Sequence, residues 1–237
     1  MEVLIEGSSR LDIELDGEQV ERFRTYYDEL IAWNRNVNLT AVTSWDEVQE
    51  RHFLDSLGVA SALPDPVLDG SARVLDVGSG AGFPGLPLKI AYPRADLTLL
   101  EATAKKTAFL YHVVDKLGLQ GVEVVTGRAE GEAHRSEMRE QFGAVVSRAV
   151  ARLDVLAELC LPFCSVGGRM IAQKGPKVEE ELGQARRAID TLGGLFDDRD
   201  MLVAPLVGVG TLVTIEKHRP SPANYPRRPG IPSKRPL

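Results

Sequence analysis

Val74-Leu75-Asp76-Val77-Gly78-Ser79-Gly80-Ala81-Gly82-Phe83-Pro84-Gly85 reads as an apolar strand, a glycine-rich turn and a helix start, in that order. Glycine permits positive φ and lets backbone approach a ligand closely, which makes Gly78 and Gly80 candidate ligand contacts. Pro84 suits the first turn of a helix, where a missing N–H costs nothing. The helix start beyond it offers unpaired N–H groups and partial positive charge. Alone, such a turn also arises as a plain structural connection. Glu101 narrows the choice, because it ends the next β-rich run nineteen residues after Gly82. An acid at this spacing accepts hydrogen bonds from a ribose diol. Together the two features predict a site for a nucleoside-bearing cofactor.

Outward from this stretch, short β-rich runs alternate with helical ones. Strands are expected at 73–77, 97–100, 122–126, 144–147, 169–173 and 210–216, with a further one near 201–207. Helices are expected at 85–90, 104–117, 154–163 and 178–192. Such alternation implies a parallel sheet with helices on both faces and right-handed crossovers. Two final strands joined without a helix would leave the last one antiparallel. That ending is typical of class I methyltransferases and atypical of a plain dinucleotide fold. The fold expected is therefore α/β and Rossmann-like, a mostly parallel seven-stranded sheet flanked by helices.

Upstream, Val20, Phe23, Tyr27, Leu30 and Ile31 fall on one face of a helix. Asp16 with Gln19 has the spacing of a capping box, and so has Ser44 with Glu47 ahead of Val48, Leu54, Leu57 and Val59. Pro64 and Pro66 end this region. The expected organisation is a helical cap at 1–68, a core at 69–217 and a basic, proline-rich stretch at 218–237, all in one structural domain.

Composition bounds the setting. A chain of 237 residues with 43% hydrophobic and 26% charged residues is ordinary for a globular protein. No apolar run approaches the roughly 18 residues needed to span a bilayer. Glu2, Glu6, Asp12 and Glu14 argue against a targeting leader, so a cytoplasmic, monomeric protein without membrane attachment is expected. Cys160 and Cys164 read as buried neighbours on a helix, without a disulfide or metal role. The net charge of −6 argues against nucleic acid, yet no acid occurs from Lys217 onward, where Arg219, Arg227, Arg228, Lys234 and Arg235 follow. A basic end can neutralise phosphates locally. Six prolines in the same stretch equally favour a solvated, disordered tail.

Two features favour S-adenosylmethionine over NAD. Asp76 sits just before the glycine turn, where a pyrophosphate loop would avoid a carboxylate and a cationic ligand would welcome one. Arg128-Ala129-Glu130 follows the third strand, where methyltransferases commonly read the adenine, although an ordinary strand–helix turn reads the same way. An NAD-dependent oxidoreductase is the first rival. A non-catalytic RNA-binding assembly factor is the second, and a small-molecule methyltransferase the third.

At this point the motifs match a family. The chain resembles the bacterial small-subunit ribosomal RNA guanine-N7 methyltransferases, historically called glucose-inhibited division protein B. The resemblance rests on Trp33-Asn34 with Asn38-Leu39-Thr40, Arg51-His52-Phe53-Leu54-Asp55-Ser56, Asp76 to Gly85, Ser147-Arg148-Ala149 and Lys174-Gly175. It implies cofactor contacts at Gly78, Phe83, Glu101, Ala102, Thr103, Ala129, Glu130 and Arg148, with Ala129-Glu130 meeting the adenine. It also implies 16S ribosomal RNA, free or in the small subunit, as substrate. Ser79 stands where threonine is frequent, and Glu101 where aspartate is common; both keep the hydrogen-bonding group. The stretch beyond 217 is not a general family feature on this reading.

Guanine N7 carries a free lone pair, so its methylation removes no proton and needs no general base. Ser147-Arg148-Ala149-Val150-Ala151 after the fourth strand lacks the Asn/Asp-Pro-Pro-aromatic motif of enzymes acting on base amines. It also lacks the cysteine needed to attack a pyrimidine C5. His52 and Asp55 share a helix face that borders an RNA pocket or simply packs. Lys174 touches RNA phosphate or is a surface lysine. Arg148 serves the cofactor carboxylate, the substrate, or both. Trp33, Asn34 and Asn38 are expected to lock the cap onto the core.

Overall fold

The computed structural model describes residues 1–148, 150–175, 178–196, 201–203 and 210–237, without the side chains of 201–203. Its strands are β1 (Arg73–Val77), β2 (Asp96–Glu101), β3 (Val122–Thr126), β4 (Phe142–Arg148), β5 (Cys164–Lys174), β6 (Gly194–Leu195), β7 (Met201–Val203) and β8 (Thr211–Lys217). They lie in the order β3-β2-β1-β4-β5-β8-β6, with β7 also pairing with β8. Neighbours from β3 to β5 run parallel, whereas β8 is antiparallel to β5, β6 and β7. The mostly parallel sheet matches the expectation: the strand expected near 201–207 is present at Met201–Val203, and the two-residue β6 is an addition that was not expected. Residues 204–207 of that expectation lie outside the described residues.

The helices are α1 (Glu2–Ser9), α2 (Gly17–Val37), α3 (Trp45–Val48), α4 (Asp55–Leu57), α5 (Asp65–Leu68), α6 (Gly85–Ala91), α7 (Ala104–Lys116), α8 (Ala129–Glu132), α9 (Leu153–Cys160), α10 (Val178–Thr191) and α11 (Ile231–Lys234). Successive strand residues point to opposite faces, and the core divides accordingly. Val74, Ala144 and Val146 join Phe23, Leu30 and Phe109 on one side. Leu75, Val77 and Val145 join Leu153, Leu156 and Ile189 on the other. Both faces of the parallel part are thus covered, as such sheets require.

The cap shares the first of these clusters, so it is welded to the core rather than laid on it. The Asp16–Gln19 capping box is formed, with N–H···O distances of 2.8 and 2.9 Å. Gln19 also donates from Nε2 to the carbonyls of Ile90 and Ala91 at the end of α6. Trp33 packs on Phe109 and His112 of α7, at ring distances of 5.7 and 5.0 Å. Asn38 ends α2 in the left-handed conformation, and Asn34 Oδ1 accepts from the N–H groups of Leu39 and Thr40.

Three expectations change. Ser44 donates to the Glu47 carboxylate instead of capping backbone. The helix after it is broken into α3, a π-turn over Gln49–Leu54, α4 and a 3-10 turn over Gly58–Ala62. π-turns of this kind collect at functional sites, and this one carries Arg51 and His52. The two thiols do not share a helix: Cys160 closes α9 and Cys164 opens β5, both buried and free.

The 218–237 stretch folds back on the core. Lys217 is buried and donates from Nζ to the carbonyls of Leu161 and Leu192. Arg139 donates to the carbonyls of Tyr225, Ser221 and Pro222. Arg227 grips the buried Glu158 through its backbone N–H, Nε and Nη2, at 2.5–3.2 Å. The solvated-tail expectation fails because these pairs hold what proline composition alone leaves loose.

Candidate cofactor and substrate site

β1 has β2 on one side and β4 on the other, so the chain reverses its winding direction there. In an open α/β sheet the crevice beyond the carboxyl ends of such strands is where ligands bind. A cavity of about 570 Å³ occupies that place. Gly78, Gly80 and Phe83 line it from the β1 turn, Glu101 from the end of β2, Ala102 from just beyond it, and Ala129 and Glu130 from α8. Arg148 reaches it from the end of β4, and Thr40 and His52 from the cap.

The turn is built as the glycines predict. Gly78 and Gly80 hold φ of +74° and +59°, and a Cβ on Gly78 would come within 2.6 Å of Val150. The Gly80 N–H donates to Glu101 Oε2 at 3.1 Å, and the Thr103 N–H to Glu101 Oε1 at 2.8 Å. These two bonds fix the carboxylate at the cavity wall, and each oxygen keeps a lone pair for a further donor. Thr103 acts through this bond and does not itself line the cavity.

Asp76 plays a different part from the one expected. Its side chain is fully buried and off the cavity wall. Oδ2 accepts the Gly85 N–H at 2.9 Å, tying β1 to the start of α6, while Oδ1 has no hydrogen-bond partner among the described residues. Burial pushes its pKa up to about 7, opposed by the Gly85 bond and by Arg148. Asp76 shapes the turn and leaves direct contact to others.

Phe83 is the hinge between cap and core. Tyr26 stacks on it at 5.4 Å, His52 at 4.6 Å, and the Arg148 guanidinium lies 4.9 Å from its ring centre. Tyr26 also donates to the Ala81 carbonyl at 2.5 Å, holding the glycine turn from below. His52 meets Thr40 Oγ1 at 2.7 Å through Nε2. Burial and then the Arg148 cation lower its pKa to about 4, so the ring is neutral at physiological pH. Asp55 is not on the cavity wall; it pairs with Arg148. The His52–Asp55 face therefore both packs and borders the cavity, through His52 alone.

Lys174 is not a free phosphate contact. Its ammonium lies 2.7 Å from Glu181 and donates to the Ala151 carbonyl at 2.8 Å. Ala149 lies outside the described residues. Sequence reading missed Lys106 and, although it noted the Arg128-Ala129-Glu130 triplet, gave Arg128 no role of its own; both line the cavity and have no ion-pair partner among the described residues. Ser233, also missed, lines it from the C-terminal stretch. Position just after the β2 and β3 ends is a signal for the first two; nothing local points to Ser233.

The donor set fits S-adenosylmethionine. A volume of about 570 Å³ suits a nucleoside-sized ligand. An acid fixed by backbone stands ready for a diol, and the open glycine turn leaves room for close approach. The residues that would hold the cofactor are Gly78, Gly80, Phe83, Glu101, Ala102, Ala129 and Glu130.

The family described as GidB, rRNA small subunit methyltransferase G, matches residues 19–197. The chain belongs to this family. A ribosomal RNA small subunit methyltransferase G from Dehalococcoides mccartyi is 48% identical over 238 residues, covering all of both chains. Its counterpart from Roseiflexus castenholzii is 46% identical over 237 residues, again covering both chains whole. These alignments run through the C-terminal stretch, so the expectation that it stands outside the family is corrected for these relatives. Among solved structures, a putative O-methyltransferase from Klebsiella pneumoniae matches with a TM-score of 0.53 at 16% identity, covering 82% of this chain and 90% of that one. A predicted O-methyltransferase from Agrobacterium tumefaciens matches with a TM-score of 0.52 at 19% identity, covering 69% and 82%. Both likenesses concern the fold, which is that of the class I methyltransferases.

Proposed function

We propose that this member of the family is an S-adenosylmethionine-dependent enzyme that methylates N7 of a guanine in small-subunit ribosomal RNA. The observation that carries the reading is the convergence of Glu101 and the Gly78–Gly80 turn on one cavity, in a chain whose relatives are small-subunit rRNA methyltransferases. When bound, the cofactor supplies an electrophilic methyl group on a sulfonium. Glu101 accepts from the ribose hydroxyls, and Ala129 and Glu130 border the adenine.

The target guanine supplies its own electron pair, so the protein has no proton to remove. The cavity agrees with that economy. Its carboxylates, Glu101 and Glu130, already accept backbone N–H bonds, and His52 is packed and held neutral by burial and then by the Arg148 cation. Burial pushes the Cys164 thiol up to about 12 and raises the Cys160 thiol well above its ordinary value, so neither thiol serves as a nucleophile. What remains is alignment of N7 with the methyl carbon, an effect that contributes about 7–11 kcal/mol in well-oriented reactions. Lys106 and Arg128 at the wall replace Lys174 as the cations available to RNA phosphate.

Isothermal titration with S-adenosylmethionine and with NAD tests the cofactor reading. Binding of the first and not the second is expected. Binding of NAD alone would return the protein to the oxidoreductases.

A further inference from the structure

The cavity has a wall that the family match does not reach. Ser233 of α11 lines it, although the match ends at residue 197. The segment carrying Ser233 is set by two contacts across long stretches of sequence. Gly230, at φ +82°, donates its N–H to Glu130 Oε1 at 3.0 Å. Three residues earlier, Arg227 holds Glu158 with three of its N–H groups. Glu158 is fully buried on α9, so the anchor is rigid and its carboxylate has no water to turn to.

We infer that residues 227–233 form the outer wall of the cofactor site, with Arg227 as a positioning residue that sets the Glu130 carboxylate and Ser233 against the bound nucleoside. This inference rests on the cofactor reading above. Glu130 stands on a four-residue helix and could swing among rotamers without a partner. The Gly230 N–H holds it in one orientation, which lowers the ordering cost of ligand binding. A ligand in the cavity in turn covers Ser233, which is solvent-exposed without it.

The test uses Ser233→Cys in the full-length chain and alkylation by N-ethylmaleimide, followed by mass spectrometry. Cys160 and Cys164 are buried with raised thiol pKa values and stay unlabelled, so the signal reports position 233 alone. Saturating S-adenosylmethionine should slow the labelling at least about fivefold, as expected for a thiol whose reactivity follows its exposure. An unchanged rate, with calorimetry showing the cofactor bound, overturns the inference and leaves the cofactor reading standing. No heat of binding in the unsubstituted protein overturns both.

A second variant reads the anchor. Arg227→Ala combined with Glu158→Leu removes both charges, so no buried carboxylate is stranded. Loss of the fixed Glu130 bond should raise the cofactor KM about tenfold, the scale of one hydrogen bond to a charged group, with a much smaller change in kcat. Arg227→Lys with Glu158 retained keeps the charge and the backbone bond but not the two-pronged grip, so its cofactor KM should fall between those of the unsubstituted protein and the double variant. A cofactor KM unaltered in the folded double variant contradicts the positioning role.

Discussion

Arg148 at the end of β4 and Asp55 at the start of α4 lie 3.0 Å apart, Nη1 to Oδ2, joining core to cap at the rim of the cavity. The same guanidinium donates to the Arg51 carbonyl at 3.1 Å and lies over Phe83. Neither partner is fully buried, so the worth of this pair lies less in stability than in the geometry it imposes on His52, Phe83 and the cavity mouth.

Arg148→Lys tests that geometry. An ammonium keeps the charge but cannot span Asp55, the Arg51 carbonyl and the Phe83 ring together. We expect kcat/KM for methyl transfer to fall about 10- to 100-fold, the scale of one or two hydrogen bonds to a charged group. Steady-state kinetics at the unsubstituted level would remove Arg148 from the site.

Glu101→Ala should weaken S-adenosylmethionine binding about 10- to 100-fold by calorimetry, through loss of the hydroxyl acceptor. Glu101→Gln keeps an acceptor oxygen and should lose less. Equal affinities for all three proteins contradict the assignment of Glu101.

His52 makes stability depend on pH. Its pKa is lowered to about 4 in the folded protein, against about 6.5 in an unfolded chain. Between those values the unfolded state binds the proton and the folded state does not, so stability is full above about pH 6.5 and declines toward pH 4. His52→Gln removes this contribution. Urea denaturation should therefore show the unsubstituted protein losing more stability than the variant between pH 7 and pH 5; parallel losses would contradict a neutral, packed His52.

Gly85→Ala tests the close approach of the Gly85 backbone to Asp76. A Cβ there would stand 2.7 Å from Leu99 and 2.9 Å from Asp76 Oδ2. Overpacking of this kind costs about 1–3 kcal/mol, read as a lower urea midpoint with an unchanged slope.

The parts of this molecule that could be read in sequence are those in which one residue type answers one local demand. Gly78 and Gly80 are required by positive φ, Glu101 by its place at a strand end, and Asp16 with Gln19 by the unpaired donors of a helix start. Asp76 shows the limit. Its charge pointed toward the ligand, but only the fold reveals that the carboxylate turns inward to Gly85. Lys174 fails for the same reason: Glu181 and the Ala151 carbonyl reach it only once β5 and α10 have packed. The π-turn at Gln49–Leu54 leaves no mark in a helical hydrophobic pattern. Hidden most completely was the C-terminal stretch, because Arg227 and Glu158 are 69 residues apart and the intervening prolines suggest disorder.

The most direct test of the central proposal is transfer of labelled methyl from S-adenosylmethionine to small ribosomal subunits from a strain lacking this enzyme, followed by mapping of the modified base. The account predicts label on N7 of a guanine in the 16S RNA, lost with Glu101→Ala at limiting cofactor. Label on a base amine, a ribose hydroxyl or protein, or no label with cofactor demonstrably bound, would contradict it.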